Sequence, residues 1–444
     1  MTQAALVAPD ADPTTMELLA ARPHLSMHAM DGLLMEGVPL NAVADAVGTP
    51  SWVLSAGSMR GRLAALQQAL AEAGLPAHVH YAVKANDHLA VLRLMEVGGA
   101  GADVVSGGEM RRALLAGMNP AHIVFSGVGK TAGELRAALQ AGIGQVNVES
   151  AEELAMLSAI AGAGGHTAPV ALRINPDVDA GTHAKITTGR ADNKFGIAYE
   201  DSAALYAHAA SLPGITPVGL ALHIGSQITA MAPYRAAYAR TAELVRGLRA
   251  AGQAVSIVDC GGGLGIGYRD EPVASPAAFA GAIRTTLGGM GLRIAVEPGR
   301  WLVGSAGVLL ASVVLTKATG ARRFVVLDAA MNDLLRPALY DAWHGMVPLS
   351  AADAARPGMP TDIVGPVCES GDTFARGRAL PDLAADTRLA ILDAGAYGSV
   401  MSSTYNARPL AASVLVDGDR WSVIRARQPV EALWAGETVP DWIG

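Results

Sequence analysis

Between about residue 79 and residue 300, short apolar β-branched runs alternate with stretches rich in alanine and leucine. The runs are VHYAVKAN (79–86), ADVVSGGE (102–109), HIVFSG (122–127), GQVNVES (144–150), VALRINP (170–176), VGLALHIGS (218–226), SIVDCGGGLG (256–265) and RIAVEPGR (293–300). Each ends in polar residues or glycine. The stretches between them, such as GELRAALQAG and ESAEELAMLSAIAGAG, space their apolar residues with a helical period. Eight strand-like runs alternating with helices predict a (β/α)8 TIM-like barrel over 51–305, a span of the usual size for that architecture. A doubly wound open sheet is the competing arrangement.

After about residue 305 the pattern changes. VLLASVVLTKAT, RRFVVLDAA, TDIVGPVCE and RLAILDAGAY are strand-like, with little helix between them. SVLVDGDRWSVIRAR reads as a hairpin turning at Asp417-Gly418. A second, mainly antiparallel β-domain is therefore expected over 306–444, joined by part of 26–50. SWVLS is a further candidate to join it. Residues 1–25 are expected to be a loose tail.

Composition narrows the function classes. A hydrophobic fraction of 51% against 16% charged residues supplies a large core and excludes disorder. A net charge of −7 argues against nucleic acid or an anionic membrane as partner. No apolar stretch is long enough to cross a bilayer, and no signal peptide is evident. The two cysteines, Cys260 and Cys368, make neither a disulfide framework nor a metal-ligand spacing, so a cytoplasmic protein without a metal is expected. The 16 methionines read as core filler.

In such a barrel the chemistry collects at the C-terminal ends of the strands. The first run ends with Lys84 and Asn86, the second with Asp103, Ser106 and Glu109, and the fifth with Arg173 and Asn175. His223 and Ser226 end the sixth, Gly261, Gly262 and Gly263 the seventh, and Glu297, Gly299 and Arg300 the eighth. A lysine in an apolar strand end suits a Schiff-base amine, although a snorkelling lysine would read the same. The CGGGLGIG run fails both G-x-G-x-x-G and the P-loop pattern, which disfavours a dinucleotide site. Glycines after strand seven of a barrel suit a phosphate instead. Glu297 could keep a pyridine nitrogen protonated, or simply pair with Arg300. His223 could stack on a flat cofactor. Cys368, flanked by acids, could donate a proton to a carbanion or be a small buried hydrophobe. His78 and His80 alternate along one strand and read as packing or surface residues.

Together these segments resemble the fold type III PLP-dependent decarboxylases, most closely the diaminopimelate-specific branch. The matching segments are YAVKAN, GADVVSGGE, NKFGI, HIGSQI, CGGGLGIGY, EPGR, MNDLLRPALY, GPVCESGD and GAYGSVMSSTYNARP, in that order from about Val38 to the C-terminus. The resemblance implies a pyridoxal 5′-phosphate cofactor carried by Lys84 as a Schiff base. It implies that His223 stacks on the ring and that Asp103 lies near it. Ser226, Gly263 and the neighbouring amides of Gly261, Gly262 and Gly299 would hold the phosphate, and Glu297 would meet the pyridine nitrogen. Arg300, Arg336, Tyr340 and Glu369 would bind the far end of an amino-acid substrate, with Tyr397 touching phosphate and substrate. Cys368, as proton donor, and Glu369 would come from the second subunit of a homodimer with shared active sites. The implied reaction is decarboxylation of meso-diaminopimelate to lysine.

Relatives with the same fold act on ornithine, arginine or carboxynorspermidine, or racemise alanine. EPGR and CESGD favour the diaminopimelate-type site, and a racemase would carry arginine in place of Glu297. A non-catalytic PLP carrier would lack the β-domain, and a regulator would have lost Lys84 or Cys368.

Overall fold

The computed structural model describes residues 12–179, 188, 194–269, 271–320 and 322–443. The chain forms two compact units, one made of Ser58–Ile266 with Pro272–Gly304 and the other of the chain up to Gly57, Gly267–Glu271 and Ser305 onward.

The first unit is a closed barrel of eight parallel strands. They are β1 (Ala77–Ala82), β2 (Gly101–Val104), β3 (Ile123–Phe125), β4 (Gln145–Val148), β5 (Ala168–Asn175), β6 (Ile215–Ala221), β7 (Ile257–Asp259) and β8 (Arg293–Val296). Each pairs with its neighbours in sequence, and β8 returns to β1 through Ile294 opposite Ala77 and Val296 opposite Val79. The sheet is closed and not doubly wound. A two-residue strand, Ile197–Ala198, adds to β5. β2, β3 and β4 are buried along their whole length, as strands covered on both faces must be.

Helix starts were written into the sequence. Ser106, Thr131, Ser150 and Ser275 each cap a helix by accepting an N–H three residues on. Thr131 and Glu134 form a reciprocal capping box. Because the strands are parallel, the polar residues that follow their C-terminal ends gather on one rim.

The second unit is mainly antiparallel. Gly307–Thr319 is its long central strand, pairing with Arg322–Leu327, Arg388–Ile391 and Ser51–Ser55. Ala412–Asp417 and Arg420–Arg425 form the expected hairpin, with Gly418 at φ 67° in the turn. A separate three-stranded sheet runs through Leu25–His28, Gly32–Met35 and Val38–Pro39. Apolar clusters around Leu310 and Val347, and around Leu309 and Ile391, form the core.

Two expected boundaries shift. Ser51–Ser55 is buried along its whole length between Gly307–Thr319 and Ala412–Asp417, so these residues belong to the β-unit and the barrel unit starts at Ser58. The tail expected to be loose through residue 25 is structured from Thr14: a capping box of Thr14 and Glu17 opens the helix Thr15–Ala20. Arg22, only 2% exposed, is anchored to both carboxylate oxygens of Asp393 and to the carbonyls of Leu18 and Tyr268. Residues 1–11 lie outside the described residues. No described helix is long and apolar enough to cross a membrane.

Candidate active site

β1 ends in the short 3-10 turn Val83–Ala85, which turns Lys84 onto the barrel rim. Its Nζ lies 2.6 Å from Oδ2 of Asp103, whose side chain is fully buried on β2. The lysine is thus an ion pair rather than the isolated amine its apolar context suggested. The other oxygen of Asp103, Oδ1, is buried without a hydrogen-bond partner, which leaves an acceptor ready for an incoming donor. Nearby, Glu109 accepts the Val105 N–H at 2.8 Å. Burial, the largest effect, raises its carboxyl pKa to about 7.

A second acidic group forms the floor. Glu297, following β8, and Asp259, ending β7, are both buried. Asn147 on β4 donates to Oδ2 of Asp259 at 3.0 Å and to Oε1 of Glu297 at 3.4 Å, and Ser126 also reaches Glu297 at 3.4 Å. Burial pushes the pKa of Glu297 well above the carboxylate range, and the negative charges of Asp103 and Asp259 push it further. Both effects favour the protonated form of Glu297.

Lys84 and Glu297 line one cavity of about 380 Å³, together with Ser126, Asn147, Arg173, Phe195 and His223. His223 follows β6, and its Nδ1 accepts the Gly262 N–H at 3.3 Å. Burial, then the charges of Arg173 and Lys84, hold its pKa well below the usual imidazole range, so the ring is neutral. Two cations, a neutral imidazole and a carboxyl of raised pKa make this cavity suited to an anionic, flat ligand.

The glycine run follows β7. A Cβ on Gly261 would come within 2.2 Å of the Leu222 carbonyl, and one on Gly262 within 1.9 Å of the Glu297 carbonyl. Gly263, at φ 92°, would clash with Gly225. These glycines therefore answer first to close approach of the neighbouring β6 and β8 backbones. Gly261 N–H donates to Asp259 and Gly262 N–H to His223. Ser226 accepts from Nη2 of Arg300 at 3.1 Å, tying the ends of β6 and β8 together. Gly299 packs against Ala82 and Ala85, where a Cβ would sit 3.0 Å from the Ala85 methyl and crowd the turn carrying Lys84.

The remaining expected site residues lie in the β-unit. Arg336 is 5% exposed, with Nη1 2.8 Å from Nε2 of His344 and its guanidinium 4.6 Å from the Tyr268 ring. Tyr340 ends the same short helix, Arg336–Tyr340. Cys368 and Glu369 are exposed on a loop fastened by Asp372, which accepts the N–H groups of Val367 and Met331 at 2.7 Å. Cys368 is not a buried hydrophobe; its N–H is held by the Asn406 side chain at 3.0 Å. Tyr397 is half-buried, at a left-handed φ of 55°.

Sequence reasoning missed Ser126, Asn147 and Asp259, and gave Glu149 no role. A signal existed for two of them: Gln145, Asn147 and Glu149 alternate along one run, which puts three polar side chains on one face of an otherwise apolar strand. Among the described residues, no group of three or more His, Cys, Asp or Glu side chains could hold a metal ion. Asn193 of the NKFGI segment lies outside the described residues.

Residues 56–304 match the family model described as the pyridoxal binding domain of pyridoxal-dependent decarboxylases. The chain is 49% identical to a diaminopimelate decarboxylase of Zymomonas mobilis over 93% of its own length and 98% of the relative's. It is 47% identical to one of Pseudomonas aeruginosa, over 92% and 97%. Among solved structures, diaminopimelate decarboxylase of M. jannaschii in complex with L-lysine superimposes with a TM-score of 0.90 at 35% identity, covering 96% of this chain and 100% of that one. The Helicobacter pylori enzyme, also with L-lysine, gives a TM-score of 0.86 at 38% identity, covering 89% and 98%.

Proposed function

We infer function from kinship and chemistry together: the chain belongs to the pyridoxal-dependent decarboxylase family, on its diaminopimelate decarboxylase branch, and we propose that it converts meso-2,6-diaminopimelate to L-lysine and CO2 with pyridoxal 5′-phosphate as cofactor. The observation that carries this reading is one cavity lined by both Lys84, paired with Asp103, and Glu297, a buried carboxyl whose pKa is raised. The residues fit the cofactor: a primary amine for its aldehyde, a carboxyl for its ring nitrogen, and cations for its negative charge. When bound, pyridoxal phosphate supplies an electron sink for the pair released as the Cα–carboxylate bond breaks.

In this reading Lys84 Nζ would carry the cofactor, and Asp103 would be the anion that pairs with the lysine ammonium when the amine is free. Glu297 would hold a proton at the ring nitrogen. The neutral His223 ring would stack on the cofactor ring. Ser226, Gly263 and Arg300 serve the phosphate. Arg300 and Arg336 offer planar forks to the distal carboxylate, with Tyr340 and Tyr397 as further donors and Glu369 for the distal ammonium. Cys368 protonates Cα. We further propose a homodimer in which Cys368 and Glu369 of one copy serve the other copy's Lys84. The reaction belongs in the cytoplasm, where the free thiols of Cys260 and Cys368 stay reduced.

The test is a comparison of CO2 release and amine product from meso-diaminopimelate, lysine, ornithine and arginine by the purified protein with pyridoxal phosphate. Diaminopimelate should lead in kcat/KM by roughly 10³-fold or more, because the other substrates leave the distal arginines without a carboxylate. Equal or better turnover of any of the other three would sink the substrate assignment.

A further inference from the structure

Lys130 is a buried cation outside every role described so far. Its side chain is fully buried, and all three ammonium donors are engaged at 2.7 Å: the carbonyls of Gly127 and Asn147, and Oε1 of Glu153. The other carboxylate oxygen of Glu153 accepts the Glu149 N–H at 3.0 Å. Glu149, with its side chain 3% exposed, makes the convergent contacts. Its Oε1 accepts the Gly127 N–H at 2.9 Å and Nη1 of Arg173 at 2.7 Å, and its Oε2 accepts the Gly196 N–H at 3.2 Å.

Three walls of the cavity therefore meet on one carboxylate. Gly127 opens the turn Gly127–Gly129 after β3, and Gly127, Arg173 and Phe195 all line the cavity. Gly127 itself is fixed from both sides, its N–H by Glu149 and its carbonyl by Lys130. Its φ of 105° is a conformation that only glycine adopts easily, and Cβ atoms elsewhere would resist it. Arg173 stacks its guanidinium 4.9 Å from the Phe195 ring, so the ion pair also sets the aromatic wall.

We propose that Glu149 is a positioning residue for the cofactor cavity: it aims the Arg173 cation into the cavity and holds the Gly127–Gly129 turn and the Phe195 wall in register with it, with Lys130 and Glu153 as its fixed support. This rests on the reading that pyridoxal phosphate occupies that cavity. Glu149 acts through Arg173 and the turn and touches no reacting atom. Two buried groups of opposite charge in one contact make it strongly coupled: either alone is a liability, and together they define a single geometry.

The experiment measures pyridoxal phosphate dissociation constants by fluorescence quenching and absorbance for wild type, Glu149→Gln, Arg173→Gln and the double variant, alongside thermal melts of each. Either single variant should bind the cofactor at least tenfold more weakly. The double variant should be no weaker than the worse single, because both changes remove the same arrangement. A single variant that fails to fold leaves the double variant as the test, since it buries no uncompensated charge. Near-wild-type cofactor affinity in a folded double variant overturns the proposal, and so do strictly additive losses. Failure of the underlying reading has a different signature: wild type would not bind pyridoxal phosphate, or Lys84→Ala would bind it unchanged in affinity and spectrum.

Discussion

At the scale of single residues the acids around the cavity are buried where their charge costs stability. Glu297 is buried beside Asp103 and Asp259, and burial and those charges push its pKa up. A carboxyl whose folded pKa is raised stabilises the fold below its unfolded pKa, and that contribution is lost as pH rises through the folded value. Glu297→Gln removes the titration and keeps the shape. The unliganded variant should be more stable than wild type at neutral pH, by on the order of 1–2 kcal/mol, with the difference growing toward alkaline pH. Its kcat should fall about 100-fold, roughly 3 kcal/mol, with little change in KM, because an amide cannot hold a proton at the ring nitrogen. Melting curves from pH 6 to 9 and steady-state kinetics check both halves. A variant that is less stable and fully active would contradict the role given to Glu297. Lys84 carries a second expectation: borohydride reduction of the loaded protein should fix the pyridoxyl group on Lys84, and labelling of another lysine would displace it from the mechanism.

At the scale of elements, β1 joins two chemistries, with Lys84 beyond one end and His78 and His80 near the other. His80 Nδ1 lies 3.1 Å from the His122 carbonyl, and the His78 ring sits 4.8 Å from both other imidazoles. Burial lowers the pKa of His80 to about 4, against an ordinary 6.5. Above pH 6.5 both states are neutral there. As pH falls from 6.5 toward 4 the unfolded chain takes up a proton that the folded chain refuses, so stability declines across that window. The full loss from His80 is about 3 kcal/mol. His80→Gln should flatten the fall in denaturation midpoint between pH 7 and 4.5; a parallel fall in the variant would assign the acid sensitivity elsewhere. The same strand shows what a sequence reveals. The eight runs were legible because period is local. Lys84, His223 and Glu297 were legible because a barrel collects strand ends. Asp259 was not, because its contact with Asn147 spans 112 residues and exists only once the sheet closes. The helix Thr15–Ala20 had a local sign in Thr14 and Glu17, masked by the unpatterned residues ahead of it.

At the scale of the whole molecule, the chemistry assigned by resemblance falls in both units of the chain: Lys84 belongs to the barrel, Cys368 to the β-unit. The loop holding Cys368 and Glu369 is fastened by Asp372 and Asn406, yet both side chains face solvent. A proton donor that stays solvent-exposed would protect nothing from water, so its proposed place is in the site of a second copy. The prediction separates that arrangement from one in which each chain is self-sufficient. Lys84→Ala and Cys368→Ala homodimers should each be nearly inactive. In a hybrid, one site combines the damaged barrel with the damaged loop and is dead, while the other combines an intact Lys84 with an intact Cys368. Random exchange of equal amounts makes half of the dimers hybrids, so activity should recover to about one quarter of wild type. If each chain built its own site, no pairing would join an intact Lys84 to an intact Cys368, and mixing would restore nothing. Native mass spectrometry of the mixture establishes that hybrids have formed. Hybrids present without recovered CO2 release would exclude the shared site and return Cys368 to its own chain.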